Sequence, residues 1–181
     1  ALTIRQPDEP GDGETRIHAE NVFEQAEATF PFGAHISVVE VDTHTGSTTV
    51  LRHIAVDDCG TILNPVLVDG QVHGGVATGI GQAILENTVY DEMGQLVSGS
   101  LMDYTLPRAD DVPNIDTENT VTPCPLNPLG VKGVGEIGAI GTPPAVINAV
   151  VNALGEFGVK HIDMPATPQR IWQAIQSASA A

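Results

Sequence analysis

Basic residues are scarce in this sequence of 181 residues. Seven Lys and Arg stand against 23 Asp and Glu, which gives a formal net charge of −16 at pH 7. A surface of this sign repels phosphate backbones and anionic membranes. We therefore expect no nucleic-acid partner, and we take the charge as a statement about solubility rather than about fold.

Long apolar runs and cysteines are missing as well. No stretch approaches the roughly 18 to 20 consecutive apolar residues that span a bilayer, and the first residues lack the basic flank and apolar core of a signal peptide. Cys59 and Cys124 are the only cysteines. They provide no disulfide framework, no zinc spacing and no iron–sulfur ligand set. We expect no membrane span and a reducing, cytoplasmic location.

The sequence does contain hydrophobic periodicity of two kinds. In residues 35–56, two β-branched runs flank a turn at 43–46 that contains glycine, which predicts a β-hairpin. Residues 115–122 predict another strand. After the pair Asn64-Pro65, five aliphatic residues recur at every fourth position and predict a helix: Val68, Val72, Val76, Ile80 and Ile84.

Two further helices are indicated by their start signals. Thr142 precedes two prolines in the manner of an N-cap, so we expect a helix to begin there and to end at Gly155 or Gly158. Thr167 before Pro168 predicts a last helix. Three apolar residues should share one side of it: Ile171, Trp172 and Ile175.

Strands mixed with helices predict an α/β or mixed α+β fold, in which a hairpin or sheet packs with helices. Residues 1–16 are polar and contain several prolines and glycines, and we expect them to form a flexible lead-in. Residues 17–181 are long enough for a single domain with one hydrophobic core.

Residues 130–144, GVKGVGEIGAIGTPP, place one carboxylate, Glu136, in a run of glycines. Gly133, Gly135 and Gly138 satisfy GxGxxG, but no strand precedes them and the expected helix starts too late for a dinucleotide-binding turn. Two interpretations stay open. The segment is a glycine loop with a solvated glutamate, or it carries a catalytic carboxylate that the glycines allow to approach a bound cofactor.

Three segments, residues 57–113, 127–154 and 161–175, together resemble a known family. The chain is similar to the C-terminal part of the molybdopterin-binding large subunit of the xanthine dehydrogenase and aldehyde oxidase family. The phrases QVHGG, GSLMDYTLPRADD and GVKGVGE are most similar to the branch of aerobic carbon monoxide dehydrogenase large chains.

This resemblance implies a function and a site. It implies part of a molybdenum hydroxylase large subunit, which binds molybdopterin and hydroxylates a small-molecule substrate with water as the oxygen source. Glu136 matches the family's catalytic base, and Gln71 matches a glutamine that hydrogen-bonds the molybdopterin. No side chain here would ligate the molybdenum, because the pterin holds it. Four residues match the backbone along the cofactor: Lys132, Gly133, Val134 and Gly135.

The resemblance also implies partners. The cofactor would be molybdopterin, with the cytosine dinucleotide among its candidate forms. The remainder of the large subunit would complete the site, with iron–sulfur clusters on a small subunit and FAD on a medium subunit. We expect the chain to be inactive without them, and we expect neither Cys59 nor Cys124 to be a metal ligand. The alternative is a non-catalytic assembly or interaction subunit that kept the fold.

Overall fold

The computed structural model describes residues 3–4, 19–20, 22–24 and 27–179. Most of the expected lead-in, residues 1–16, lies outside the described residues. Its described part, strand β1 (Thr3–Ile4), pairs antiparallel with strand β2 (Ala19–Glu20). The division into a lead-in and one domain stays a prediction.

The central sheet has three strands. Strands β3 (Phe32–Val41) and β4 (Thr48–Asp58) form the predicted antiparallel hairpin. Its turn is closed by a hydrogen bond of 2.8 Å from the N–H of Asp42 to the carbonyl of Ser47. Strand β5 (Ile115–Asn119) lies parallel to β4, and the strand order is β3-β4-β5. The mixed sheet with its helices confirms the predicted fold class.

Helix α1 (Pro65–Ile80) begins where the sequence predicts. The side chain of Asn64 caps it by accepting a hydrogen bond of 3.3 Å from the N–H of Leu67. A π-helical turn, Gly81–Leu85, continues the helix. All five periodic aliphatic residues are buried, which confirms the predicted core-facing side.

Helix α2 (Ile137–Ala153) corrects one prediction. It starts well before Thr142, with Glu136 at the N-cap position, and both Pro143 and Pro144 lie inside the helix. The predicted N-cap role of Thr142 is wrong, because its side chain is fully buried against the sheet. The helix does end near the predicted glycines, in a 3-10 turn (Gly155–Phe157) followed by Gly158 with φ 80°.

Close contact with α1 explains the early start of α2. A Cβ atom on Gly138 would lie 2.6 Å from the carbonyl oxygen of Val72, and one on Gly75 would lie 2.8 Å from the backbone nitrogen of Ala139. The two backbones therefore approach more closely than any other residue type would allow. This tertiary contact stabilises the turn before the prolines and outweighs their local preference for a helix start.

Helix α3 (Pro168–Ser179) begins after Thr167, whose hydroxyl accepts a hydrogen bond of 3.4 Å from the N–H of Arg170. Ile171 and Ile175 are buried as predicted. Trp172 remains 44% exposed. The prediction that it shares their side is wrong, because successive residues of an α-helix point about 100° apart.

One core lies between the sheet and the helices. Helix α2 packs on β3 and on α1, and apolar side chains from α1, α2, α3 and the hairpin form a single cluster. In the described part of the chain, no helix has the length and apolar character needed to cross a bilayer. The N-terminal end of α2 and the adjacent side of α1 are exposed at the surface of this chain.

Candidate functional site

The N-terminal end of α2 brings together predicted site residues that are distant in the sequence. Gln71 lies on α1, one turn before the glycine crossing with α2. Its Oε1 atom is 3.6 Å from the position that a Cβ atom would take on Gly135, the residue before Glu136. The tertiary structure therefore places Gln71 beside the segment that carries Glu136.

Glu136 and Gln71 are both exposed in this chain. Glu136 occupies the N-cap position of α2, and its side chain makes no capping hydrogen bond. An anionic side chain is stabilised at this end of a helix by the helix dipole. Both side chains can therefore contact a group outside the chain.

The backbone that leads to Glu136 is fixed on its N-terminal side. The carbonyl of Gly130 accepts hydrogen bonds from the N–H groups of Thr61 (2.9 Å) and Cys124 (3.0 Å). The N–H of Lys132 donates to the carbonyl of Cys59 at 2.8 Å. Gly133 is exposed, and apart from its chain neighbours no heavy atom of the described residues lies within 4 Å of a Cβ atom built on it.

The ammonium group of Lys132 is turned into the chain. It forms an ion pair of 2.9 Å with Asp58, and the two side chains are only 8% and 0% exposed. Asp58 also accepts from the N–H of Gly60 at 3.0 Å and from the hydroxyl of Thr120 at 3.1 Å. Burial raises the pKa of Asp58, but the hydrogen bonds from Lys132 and Gly60 outweigh it and hold the pKa well below its ordinary value. The side chain of Lys132 thus anchors the segment.

The surface of α1 next to Gln71 carries few side chains. Apart from the backbone of α1 itself, no heavy atom of the described residues lies within 4 Å of a Cβ atom built on Gly70 or Gly74, and both residues are exposed. Gly75 and Gly79, on the opposite side of the helix, are packed against α2. Packing within this chain therefore explains only the second pair of glycines.

Neither cysteine lies on this open surface. Cys59 and Cys124 are buried free thiols, with exposed fractions of 3% and 7%. Burial raises the pKa of the Cys59 thiol, which favours its protonated form.

A polar network between the sheet and α2 escaped the sequence analysis. His35 lies 3.2 Å from Asp57 through Nε2 and 3.2 Å from the Nε2 of His53 through Nδ1. His53 in turn lies 2.7 Å from the hydroxyl of Ser37, and the hydroxyl of Thr142 lies 3.4 Å from His35 and 3.3 Å from His53.

Burial, and then the neighbouring His35, lower the pKa of His53 to about 4, although Asp57 opposes this. The sequence signal that could have revealed the network is the alternation of side chains along a strand, which places every second residue on the same face. Positions 35 and 37 of β3 and positions 53 and 57 of β4 all face the helices, yet they are polar.

Several known proteins are similar to this chain in sequence. A profile of the molybdopterin cofactor-binding domain matches residues 9–113. The carbon monoxide dehydrogenase large chain of Hydrogenophaga pseudoflava is 41% identical over 167 residues, which cover 92% of this chain and 21% of that relative. The nicotine 6-hydroxylase large subunit of Paenarthrobacter nicotinovorans is 38% identical over 165 residues, or 91% of this chain and 20% of that relative.

Solved structures of related enzymes are similar to this chain in fold. A Cu,Mo-CO dehydrogenase superposes with a TM-score of 0.83 at 37% identity, over 90% of this chain and 20% of that one. Quinoline 2-oxidoreductase from Pseudomonas putida 86 superposes with a TM-score of 0.75 at 46% identity, over 80% of this chain and 18% of that one.

The chain belongs to the molybdopterin cofactor-binding domain family, as found in the large subunits of carbon monoxide and xanthine dehydrogenases, which confirms the predicted resemblance. It spans about a fifth of the length of the relatives that it matches. Gln71 lies inside the range that the family profile matches, and Glu136 lies beyond it.

Proposed function

We propose that the chain contributes to the active site of a molybdenum hydroxylase large subunit and supplies Glu136 as the general base. The observation that carries the proposal is the meeting of Gln71, Gly135 and Glu136 at the exposed end of α2. A hydrogen-bonding amide and one carboxylate stand there on a surface with few other side chains. This arrangement suits chemistry on a bound group outside the chain.

The residues present fit molybdopterin. The amide of Gln71 offers both donors and an acceptor to a polar heterocycle. The backbone from Lys132 to Gly135 can lie along that heterocycle, because Gly133 leaves its surroundings open. Gly70 and Gly74 keep the neighbouring surface of α1 equally open.

Molybdopterin, when bound, supplies the redox chemistry of the reaction. We include the cytosine dinucleotide form in the proposal as a candidate. Gln71 orients the cofactor, and Val134 and the glycines beside it exclude bulky side chains from its path. Glu136 accepts the proton that is released as an oxygen from water becomes bonded to an electron-poor carbon of the substrate.

The proposed partners follow from the same assignment. The remainder of the large subunit completes the site, and electrons leave through iron–sulfur clusters of a small subunit to FAD on a medium subunit. Relatives are named for carbon monoxide, nicotine and quinoline. We therefore propose a small molecule as substrate and leave its identity to direct assay.

Native purification through a tag on this chain tests the proposal. Elemental analysis should find molybdenum stoichiometric with the chain, and mass spectrometry should find iron-containing and flavin-containing partner chains. A chain that arrives with partners but without molybdenum would contradict the catalytic proposal and support the assembly subunit instead. A chain that arrives alone and free of metal would contradict both.

A further inference from the structure

A cavity of about 360 Å³ lies between the open end of the hairpin and helix α2, and its lining includes Ile137, the residue after Glu136. Asp57 and His35 line it and are almost completely buried, with side chains 2% and 3% exposed. Phe32 and Ile140 also line it and are 55% and 68% exposed. The cavity therefore combines a buried polar pair with an exposed apolar rim.

One oxygen of Asp57 has no hydrogen-bond partner among the described residues. Its Oδ1 atom accepts the hydrogen bond from His35, whereas Oδ2 is buried and meets no donor among the described residues. A buried anionic oxygen is costly unless a donor satisfies it. Gly33 is required for this placement, because a Cβ atom there would lie 2.0 Å from Oδ1 of Asp57.

No Lys or Arg lines the cavity among the residues that the structure describes. Arg52 pairs with Asp116, Arg108 with Asp111 and Lys132 with Asp58. His35 cannot supply a second donor to Oδ2, because its other ring nitrogen faces His53 and Thr142. The described side chains therefore supply no donor to Oδ2 of Asp57, and a side chain that enters the cavity from another segment can supply one.

We propose that the cavity is a docking socket for an arginine or lysine side chain from the remainder of the large subunit, whose N–H group donates to Oδ2 of Asp57. This inference rests on the proposed function. About four-fifths of the length of the relatives lies outside this chain, and that remainder can supply the basic side chain. The net charge of −16 favours a basic partner, and a guanidinium or ammonium group satisfies a buried carboxylate oxygen.

The test compares Asp57→Asn with two further variants. Asp57→Asn keeps the shape and removes the charge, and Ala145→Phe fills the cavity while it leaves Asp57 in place. The matched control is Asp116→Asn, the same change at an exposed carboxylate. Each tagged chain is purified with the large-subunit remainder, and the complex is titrated with salt and with competing untagged chain.

Both cavity variants should weaken the complex by about 30-fold or more, as expected when a buried charge pair loses one partner. The control should leave the affinity within about twofold. Thermal unfolding of the full chain by itself should show that Asp57→Asn is as stable as the original chain or more stable. The reason is that an unsatisfied charge is removed.

Unchanged affinity of both variants in a complex that still contains molybdenum would overturn the socket and leave the proposed function intact. Failure of the original chain to recover any large-subunit remainder would overturn both. Destabilisation of the isolated chain by Arg5→Gln or Arg16→Gln that disappears when Asp57→Asn is also present would identify the chain's own lead-in as the occupant and overturn the proposed partner. Self-association that depends on Asp57, seen by analytical ultracentrifugation, would replace it with a second copy of the chain.

Discussion

Two neighbouring aspartates at the end of β4 differ in how completely the chain satisfies them. Asp58 receives hydrogen bonds from Lys132, Gly60 and Thr120, and all of these donors belong to the chain. Asp57 receives one from His35 and keeps a second oxygen without a donor among the described residues. The described residues therefore provide donors for both oxygens of Asp58 but for only one oxygen of Asp57.

The glycines of α1 show the same contrast. Cβ atoms on Gly75 and Gly79 would lie within 3 Å of α2, whereas those on Gly70 and Gly74 would meet no described residue outside the backbone of α1 within 4 Å. Closed regions determine how this chain folds. Open regions, which include the exposed Gln71 and Glu136, present side chains to groups outside the chain. Changes in open regions should therefore alter function, and changes in closed regions should alter stability.

The largest effect is expected on the open side. Glu136→Gln should lower turnover of the assembled enzyme by about 10²- to 10⁴-fold, because it removes the proton acceptor and keeps the shape. Steady-state rates and molybdenum analysis of the same preparation measure this. The exposed Glu118→Gln is the matched control. Loss of molybdenum in Glu136→Gln would show a structural role and contradict the assignment.

The next effect tests the closed side. Lys132→Met should cost about 3 to 5 kcal/mol of unfolding free energy, because it leaves the buried Asp58 without its cation. Urea unfolding of the chain measures this. The double variant Lys132→Met with Asp58→Asn should recover most of the loss. A double variant as unstable as the single one would mean that lost packing, and not the unpaired charge, is the cause.

A pH titration separates the buried network from the ion pair. The pKa of His53 is about 4 in the folded chain and about 6.5 when unfolded, so the unfolded chain binds the extra proton between these values. Stability should be complete above pH 6.5 and fall by about 3 kcal/mol as the pH drops to 4.

Asp58 behaves differently, because its pKa is lowered from 3.8. Its contribution is present above the unfolded value and is lost only as the pH falls below it. Unfolding measured between pH 4 and 7 therefore reports on His53. The slope should disappear in His53→Gln, and a slope that persists there would assign the titration to another group.

The smallest effect is expected at Gln71. Gln71→Ala should weaken molybdenum retention by roughly 3- to 10-fold, as for one lost hydrogen bond of about 1 kcal/mol, and should leave the stability of the chain unchanged. Occupancy after dialysis measures this. Gln82→Ala, at another exposed glutamine, is the control. Equal occupancy in both variants would remove Gln71 from the cofactor site.

Local patterns predicted much of the fold. The hairpin, α1 and α3 were predicted correctly because each depends on periodicity and end signals within a few residues. The start of α2 was predicted wrongly, because the contact between Gly75 and Gly138 outweighs the signal of Thr142 and its prolines. A contact between residues so distant in the sequence has no local signature.

The candidate site likewise has features that the sequence predicted and features that only the structure reveals. The sequence by itself determined the charge, the periodic core and the family, and it pointed to Glu136 and Gln71 through their motifs. Only the tertiary structure decided that Gln71 lies beside Gly135, that Lys132 is turned inward to Asp58 and that one oxygen of Asp57 has no donor among the described residues. The physical reason is that hydrogen bonds and burial depend on which distant segments the fold brings within a few ångströms of each other.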